Sequence, residues 1–192
     1  MRKNKKAALQ LSISMIVIIV LAMTVLGLGL TFTRDLFDKL QDIVGLTFSK
    51  IKKELNTKLD TSEEPLVFST TNLEMSRGSK QLEGFGFRND GNSEMKIGIR
   101  FFPVKCPPGA TCDVEEIEGK WFTYIQGAEA YTIKPGSRIM REVHISVPRG
   151  ATTGLYLIKM VAYTGSPQGS ACPSLDNCPN ELASTQIFLT VG

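Results

Sequence analysis

Four cysteines are the most clearly patterned of the residues that could do chemistry. They form two pairs, in "CPPGATC" (Cys106 and Cys112) and in "CPSLDNC" (Cys172 and Cys178), and each pair encloses five residues rich in turn formers. This spacing favours two local disulfides, each contributing about 2 kcal/mol through the chain entropy of a short loop. Four thiolates could instead hold zinc, but structural zinc sites prefer two to four intervening residues. We therefore expect disulfides and no metal, although four cysteines permit three pairings.

The single histidine, His144, lies in "REVHISV". Strand alternation would turn Val143 and Ile145 inward and His144 outward, so we expect a solvent-facing histidine and no catalytic base. The sequence has no Gly-x-Ser-x-Gly, His-Glu-x-x-His or P-loop pattern. The stretch "GFGFRN" lacks the third glycine of a dinucleotide fingerprint, and we interpret its glycines as strand residues. These observations predict a protein that is not an enzyme and needs no cofactor.

Two further groups of side chains have a possible binding role. Four acids lie close together: Asp113, Glu115, Glu116 and Glu118. They could form a weak calcium site, but a solvated acidic loop is the simpler expectation. Trp121, Phe122 and Tyr124 could form an aromatic platform for sugars, yet one face of that strand is needed for the core. We expect them to pack inside the domain.

The elements that must position these residues are strands, because the hydrophobic period becomes two after residue 66. Phe85 and Phe87 alternate with small or polar residues, and Ile97 and Ile99 do the same after the turn sequence "NDGN". This pattern predicts a β-hairpin. Further strands are predicted in "PLVFST", "KWFTYIQ", "EAYTI", "SRIMREVHISV", "GLYLIKMVAYT" and "STQIFLTV". Seven or eight short strands separated by turns indicate an antiparallel immunoglobulin-like β-sandwich over residues 66–192.

The segment "IKPGSRIMREVHISVPRGATTGLYLIKMVAY" is similar to immunoglobulin-like modules that are common in prokaryotic surface proteins. The resemblance implies two strands and the corner between them, with Tyr156 packing at the bend. It concerns the fold and implies no activity.

The N-terminal quarter of the chain has the composition of a membrane helix. Residues 7–32 contain no charged side chain over 26 residues, which is roughly 39 Å of helix against about 30 Å of bilayer hydrocarbon. A cleavable signal has a shorter apolar core and a small-residue cleavage site. Four cations precede the run, at Arg2, Lys3, Lys5 and Lys6, so we expect the N-terminus in the cytoplasm and the large domain outside.

The net charge of the two parts differs in sign. Residues 1–59 hold 10 basic and 4 acidic side chains, net +6, whereas residues 60–192 hold 12 and 15, net −3. The basic character of the whole chain therefore belongs to the N-terminal region, and we expect no nucleic-acid binding.

The helical period continues past the apolar run. Over residues 33–59, apolar side chains recur mostly every three or four residues, and residues 60–65 end the helix. This stripe needs a cover, which could be the chain's own domain, other copies or the lipid surface. Four positions with heptad-like spacing resemble a coiled-coil seam: Phe37, Leu40, Val44 and Ile51. Gly27 and Gly29 would allow close helix approach within the membrane.

The N-terminal 60 residues resemble a type IV pilin or archaellin-type subunit. The basic leader "RKNKKA", the apolar helix "ALQLSISMIVIIVLAM" and the amphipathic extension into a β-rich domain carry this resemblance. It implies cleavage after Ala7, at the junction of Lys5, Lys6, Ala7 and Ala8, and bundling of the retained helices in a filament core. The family usually has a glutamate near the fifth mature residue, where this chain has Ser12 and Ser14.

These patterns predict an α+β protein with five parts: a basic cytoplasmic leader (1–6), a transmembrane helix (7–32), an amphipathic helical extension (33–59), a linker (60–65) and an extracellular sandwich (66–192). The first functional hypothesis is a pilin-like structural subunit of a surface filament or assembly, with lipid and other pilin-like subunits as partners. The alternative is a single-pass, membrane-anchored adhesion or binding module that forms no filament.

Overall fold

Helix α1 spans Lys5–Thr61, 57 residues, and it can be this long because the first proline is Pro65. The computed structural model describes residues 5–127, 130–164, 178 and 180–192, and within α1 the side chains of residues 13–36 and 47–61. The chain divides into two units, Met1–Leu46 and Thr47–Gly192. The first is the N-terminal part of α1, and the second holds the rest of α1 and the β-sheet-rich domain.

The described residues of the second unit form nine strands in two sheets. The strands are β1 (Leu66–Phe68), β2 (Asn72–Met75), β3 (Lys80–Arg88), β4 (Met95–Lys105), β5 (Phe122–Thr123), β6 (Tyr131–Ile133), β7 (Arg138–Ser146), β8 (Gly154–Thr164) and β9 (Glu181–Val191). Sheet A has the order β1-β3-β7-β5, and sheet B has the order β2-β9-β8-β4-β6. A helix followed by a two-sheet domain agrees with the α+β prediction.

The sheets are antiparallel with one exception among the described strands. Strand β2 was absent from the sequence-based prediction, and it pairs in parallel with β9, Asn72 opposite Phe188 and Met75 opposite Val191. The prediction of a wholly antiparallel sandwich is therefore wrong at this edge. A four-residue strand with two buried side chains, Leu73 and Met75, gives too short an alternating pattern to stand out in the sequence.

The predicted hairpin between β3 and β4 is wrong. β3 pairs with β1 and β7 in sheet A, whereas β4 pairs with β6 and β8 in sheet B. The two strands face each other across the core, and the connection between them is fixed by the buried Asn89. Its Nδ2 donates to the carbonyls of Ser93 and Ile133, and its Oδ1 accepts the Gly91 N–H. The connection is thus an arch between sheets, not a tight turn within one.

The strand predicted in "KWFTYIQ" is shorter than expected. Val114–Glu116 is a helical turn (α2), Ile117–Trp121 is a π-helical segment, and β5 is only Phe122–Thr123. The turn begins at Asp113, whose side chain accepts the Glu116 N–H at 3.2 Å, as an N-cap residue does. The cap and the packing of buried Ile117 and Trp121 override the β propensity of the aromatic residues.

Aromatic side chains fill the core between the sheets. The rings of Phe101 and Phe122 stack with centroids 4.4 Å apart, and Trp121 meets Tyr156 edge to face at 4.9 Å. Trp121 and Phe122 are buried and Tyr124 is half-buried, so the prediction of core packing is confirmed for this group. Tyr156 is also buried, and its hydroxyl donates to the carbonyl of Thr152 at the entry to β8.

Candidate functional site

The most exposed apolar surface in the described residues lies on the N-terminal part of α1. Ile13–Leu36 is a 24-residue stretch of mean hydropathy 2.7, and none of it is buried. Its large apolar side chains are between 44% (Leu36) and 72% (Leu28) exposed. Its length and composition suit a membrane span, although a secretory signal sequence meets the same criteria.

The three threonine hydroxyls of this stretch are satisfied within the helix. The hydroxyls of Thr24, Thr31 and Thr33 donate to carbonyls three or four residues earlier, at 2.8 to 3.0 Å. Such bonds remove the cost of placing a hydroxyl in an apolar environment. Gly27 and Gly29 have no atom within 4 Å of the position where a Cβ would lie. The helix surface at both glycines is therefore open to an approaching group.

The C-terminal part of α1 packs on the outer face of sheet A. Leu55 and Leu59 are fully buried, and they lie over two glycines of β3. A Cβ on Gly84 would come within 3.0 Å of Leu55 Cδ1, and a Cβ on Gly86 would come within 2.8 Å of Leu59 Cδ1. The glycines are therefore the places where the helix backbone and the sheet approach closely.

Charged side chains hold the same contact at its rim. Arg138 on β7 donates to Asp60 at 2.6 Å and to Asn56 at 2.8 Å. On the other side, Lys58 donates to the carbonyls of Phe68 and Ser69. The side chains of Arg138, Asp60 and Lys58 are partly in solvent, so these bonds orient the helix more than they stabilise it.

The buried carboxylate of Glu118 binds donors at and beside strand β4. Glu118 accepts from Arg100 Nε at 3.0 Å, from the Tyr124 hydroxyl at 2.5 Å and from the Phe101 N–H at 2.9 Å. The bond to Glu118 raises the pKa of Arg100, and burial beside this carboxylate raises the pKa of Tyr124 far above its usual range. The prediction of a solvated acidic loop is wrong for Glu118, which is buried; Glu115 and Asp113 are exposed.

A cleft of about 670 Å³ lies beside β7. Its walls are formed by α1, by the residues that follow β5 and by β7: Phe48, Tyr124, Ile125, Tyr131, Met140, Arg141, Glu142 and His144. The Tyr131 hydroxyl donates to the Ile125 carbonyl at 2.9 Å, and burial raises the pKa of Tyr131 to about 12 despite the nearby Arg141 charge. His144 is exposed at this rim, as predicted.

The structure places the predicted disulfide residues as follows. Cys106 and Cys112 are bonded to each other, with Cα atoms 5.6 Å apart, which confirms the first local pair. Cys178 is disulfide-bonded as well, and Cys172 lies outside the described residues. No group of three or more His, Cys, Asp or Glu side chains that could hold a metal ion occurs in the described part of the chain.

The predicted helix residues divide into two groups. The leader-processing residues Lys5, Lys6, Ala7 and Ala8 and the seam positions Phe37, Leu40 and Val44 lie in α1, where the structure does not describe their side chains. Ile51 is half-buried, and its Cγ2 would lie 2.9 Å from a Cβ on Gly84. Its inward face is therefore covered by sheet A of its own chain and not by a second copy.

Sequence reasoning missed the residues that join α1 to the sheet. The signal was present at Gly84 and Gly86, because two glycines two residues apart leave one face of a strand without side chains. Arg138 and Lys58 gave no comparable signal, since their partners are distant in sequence. In the sequence, Glu118 is only one member of an acidic cluster.

No protein-family model matches the chain, and no curated protein matches it. The chain is similar to solved structures at low sequence identity. The chain resembles a family 123 glycoside hydrolase from Clostridium perfringens, with 10% identity and a TM-score of 0.45 over 64% of this chain but only 23% of the hydrolase. It also resembles a Caenorhabditis elegans member of the MSP family, with 5% identity and a TM-score of 0.40 over 68% of this chain and all of the other.

The third is the SrpA adhesin from Streptococcus sanguinis, with 13% identity and a TM-score of 0.38 over 69% of this chain and 60% of the adhesin. Similarities of this degree assign neither a family nor an activity.

Proposed function

We propose that this chain is a pilin-like structural subunit of a surface assembly, anchored and assembled through the N-terminal part of α1. The observation that carries the proposal is the 24-residue apolar stretch Ile13–Leu36, which has no cover within the described residues. A surface of this size must be removed from water by lipid or by other helices. Lipid would cover the apolar stretch while the chain is stored in the membrane, and the helices of other copies would cover it in the assembly.

The contact between α1 and sheet A supports this proposal. Leu55 and Leu59 of α1 are buried against the domain, so this end of the helix has its partner within the chain. The apolar stretch has none, and its exposed Gly27 and Gly29 would permit close approach between helices. In this proposal the basic leader is removed after Ala7, lipid and other pilin-like subunits are the partners, and the chain has neither a catalytic nor a nucleic-acid-binding role.

The same proposal places the β-domain outside the cell as an immunoglobulin-like sandwich. The order β1-β3-β7-β5 corresponds to the ABED sheet of that fold, and β4, β8 and β9 correspond to the CFG strands. The Tyr156 hydroxyl bond to the Thr152 carbonyl is typical of a tyrosine corner. The disulfide between Cys106 and Cys112 suits an oxidising compartment.

The alternative is a membrane-anchored binding module, in which lipid alone covers the apolar stretch. The cleft beside β7 favours this alternative, because it offers a surface for a partner on the domain itself. The two functions predict different N-termini and different oligomeric states. A pilin-like subunit would begin at Ala8 and associate, whereas an anchored module would keep its leader and remain a monomer in detergent.

The test is N-terminal sequencing of the membrane-extracted chain, with negative-stain microscopy of the cell surface for filaments. The matched variants are Gly27→Leu, which fills the open helix surface, and Leu28→Ile, which conserves volume. We expect Gly27→Leu to abolish assembly and Leu28→Ile to retain it. A native chain that keeps Arg2 and Lys3 and runs as a monomer would exclude the subunit role and leave the binding module.

A further inference from the structure

Strand β7 has a backbone edge that is paired over only part of its length. On one side it pairs with β3 from Arg138 to Ser146, but on the other β5 covers only His144 and Ile145. After Thr123 the chain leaves the sheet, so the edge from Arg138 to Val143 has no strand beside it among the described residues. The cleft lined by Met140, Arg141 and Glu142 lies along this edge.

Hydrogen bonds in β3 define which backbone groups of β7 face the cleft. Gly84 turns both of its backbone groups toward β1: its carbonyl accepts the Ser69 N–H at 2.9 Å, and its N–H donates to the Ser69 hydroxyl at 3.0 Å. Gly84 is opposite Glu142, so this is a non-hydrogen-bonded pair of the antiparallel ladder. The N–H and C=O of Glu142 therefore point away from β3, and the period of two gives Met140 the same orientation.

Two other strand edges in this domain are capped by charged side chains. At β4, the carboxylate of Glu118 accepts the Phe101 N–H, and at β1 the Lys58 ammonium binds the carbonyls of Phe68 and Ser69. Capping of this kind is a common way to keep strand edges from pairing with other chains. No described side chain is hydrogen-bonded to the outward backbone groups of Met140 and Glu142.

The side chains along the open edge specify what could lie there. Phe48 and Met140 give the helix side of the cleft an apolar wall. Arg141 and Glu142 are exposed neighbours of opposite charge that point to opposite faces of the strand, and neither forms an ion pair within the described residues. An extended strand laid along β7 would place one residue opposite each of them, where opposite charges across a strand pair are favourable.

We propose that the edge of β7 from Arg138 to Glu142 is a strand-addition site for an extended peptide segment of a partner protein. The segment lies in line with β5 and antiparallel to β7, and its backbone bonds the outward N–H and C=O groups of Met140 and Glu142. It carries an acidic residue opposite Arg141, a basic residue opposite Glu142 and an apolar residue opposite Met140. The proposal holds whether or not α1 associates with other copies.

The probe for this site is a synthetic octapeptide with alternating valine and threonine, capped at both ends, with an adjacent aspartate and lysine at its centre. It is added to the full chain in lipid nanodiscs, and amide hydrogen exchange is followed residue by residue. In the free chain we expect Met140 and Glu142 amides to exchange faster than those of Arg141 and Val143, which face β3. The peptide should slow exchange at Met140 and Glu142 by about tenfold or more.

Two controls separate strand addition from non-specific binding. A peptide of the same sequence, N-methylated at the residues whose N–H groups would face β7, keeps the side chains but loses the bonds, and we expect it to bind at least about tenfold more weakly. Glu142→Pro removes an outward N–H and should weaken binding by at least about tenfold. Glu142→Ala retains the N–H and loses only the cross-strand charge pair, so it should weaken binding by about fivefold at most.

Three results would overturn the proposal. The first is slow exchange of the Met140 and Glu142 amides in the free chain, since the edge would then already be paired. The second is no protection of these amides by the peptide at millimolar concentration. The third is equal binding of the N-methylated peptide, which would show that side chains alone carry the affinity. The peptide controls do not depend on the folding of the proline variant.

Discussion

The buried carboxylate of Glu118 bonds both backbone and side-chain donors. Glu118 joins β4, the π-helical segment and residue 124 through the Phe101 N–H, the Arg100 guanidinium and the Tyr124 hydroxyl. The Arg100 guanidinium also lies 5.0 Å from the centre of the Phe102 ring. Buried donors need acceptors. Removing Glu118 would therefore leave several donors without partners at once.

We predict that Glu118→Ala lowers the free energy of unfolding by about 3–5 kcal/mol, the cost of leaving a half-buried arginine without its partner. The measurement is denaturant unfolding followed by tryptophan fluorescence, for which the chain has one reporter, Trp121. The matched control is Glu115→Ala, an exposed acid three residues away, which should change stability by less than about 0.5 kcal/mol. Equal effects of the two variants would contradict the role given to Glu118.

Tyrosine burial predicts a loss of stability at high pH. Burial raises the pKa of Tyr131 from an ordinary value of 10.0 to about 12, so the folded chain keeps a proton that the unfolded chain releases. Stability from this group is fully present below pH 10 and is lost as the pH rises toward 12. Unfolding measured across this range should show the decline, and Tyr131→Phe should show a shallower one. An unchanged slope in Tyr131→Phe would assign the decline to other groups.

At the scale of elements, the contact between α1 and sheet A depends on two residues of β3 without side chains, Gly84 and Gly86. Helix and strand can approach because Gly84 and Gly86 carry no side chain beneath Ile51, Leu55 and Leu59. β3 is therefore covered on both faces, by the core on one side and by α1 on the other. This explains its run of five buried residues, which no alternating strand with one wet face would show.

We predict that Gly86→Val destabilises the domain by about 1–3 kcal/mol through overpacking, because the new side chain meets Leu59, which has no room to move. Amide exchange should accelerate in residues 51–61 of α1, which would show that the helix has loosened from the sheet. The control is Gly150→Ala, where an added Cβ meets no atom within 4 Å. Unchanged exchange in α1 would mean that the sheet tolerates the larger residue.

At the scale of the whole molecule, the two units bury apolar surface in different ways. Thr47–Gly192 encloses its own core, whereas the described apolar side chains of Met1–Leu46 have no cover. The net charge also differs between the units: Met1–Leu46 carries 6 basic and 3 acidic side chains, net +3, whereas Thr47–Gly192 carries 16 of each, net zero. The chain therefore needs an apolar environment for one unit and none for the other.

We predict that Val25→Lys, near the middle of the apolar stretch, reduces membrane retention, because a lysine at the centre of a membrane helix costs about 3 kcal/mol. The measurement is the fraction of the chain left in the membrane pellet after alkaline extraction. Thr33→Lys, near the end of the stretch, should be retained, since its long side chain can reach the interface. Equal release of both variants, or of neither, would contradict a membrane-spanning role for Ile13–Leu36.

The sequence by itself determined the features that depend on neighbours along the chain. The uncharged helix, the preference for local cysteine pairs and the approximate positions of most strands follow from composition, spacing and period. The outward position of His144 also followed from alternation alone. These are local properties, because the residues that decide them lie within a few positions of one another.

Only the tertiary structure decided which elements meet. Residue patterns could not show that β3 and β4 belong to different sheets, that Arg100 would neutralise Glu118, or that β5 would leave part of β7 uncovered. Each outcome depends on groups that are distant in the sequence. The contacts between such groups stabilise the fold only after the intervening chain has lost the entropy of loop closure. A strand's period fixes which side chains face inward, but the choice of partner edge is made by the packing of the whole domain.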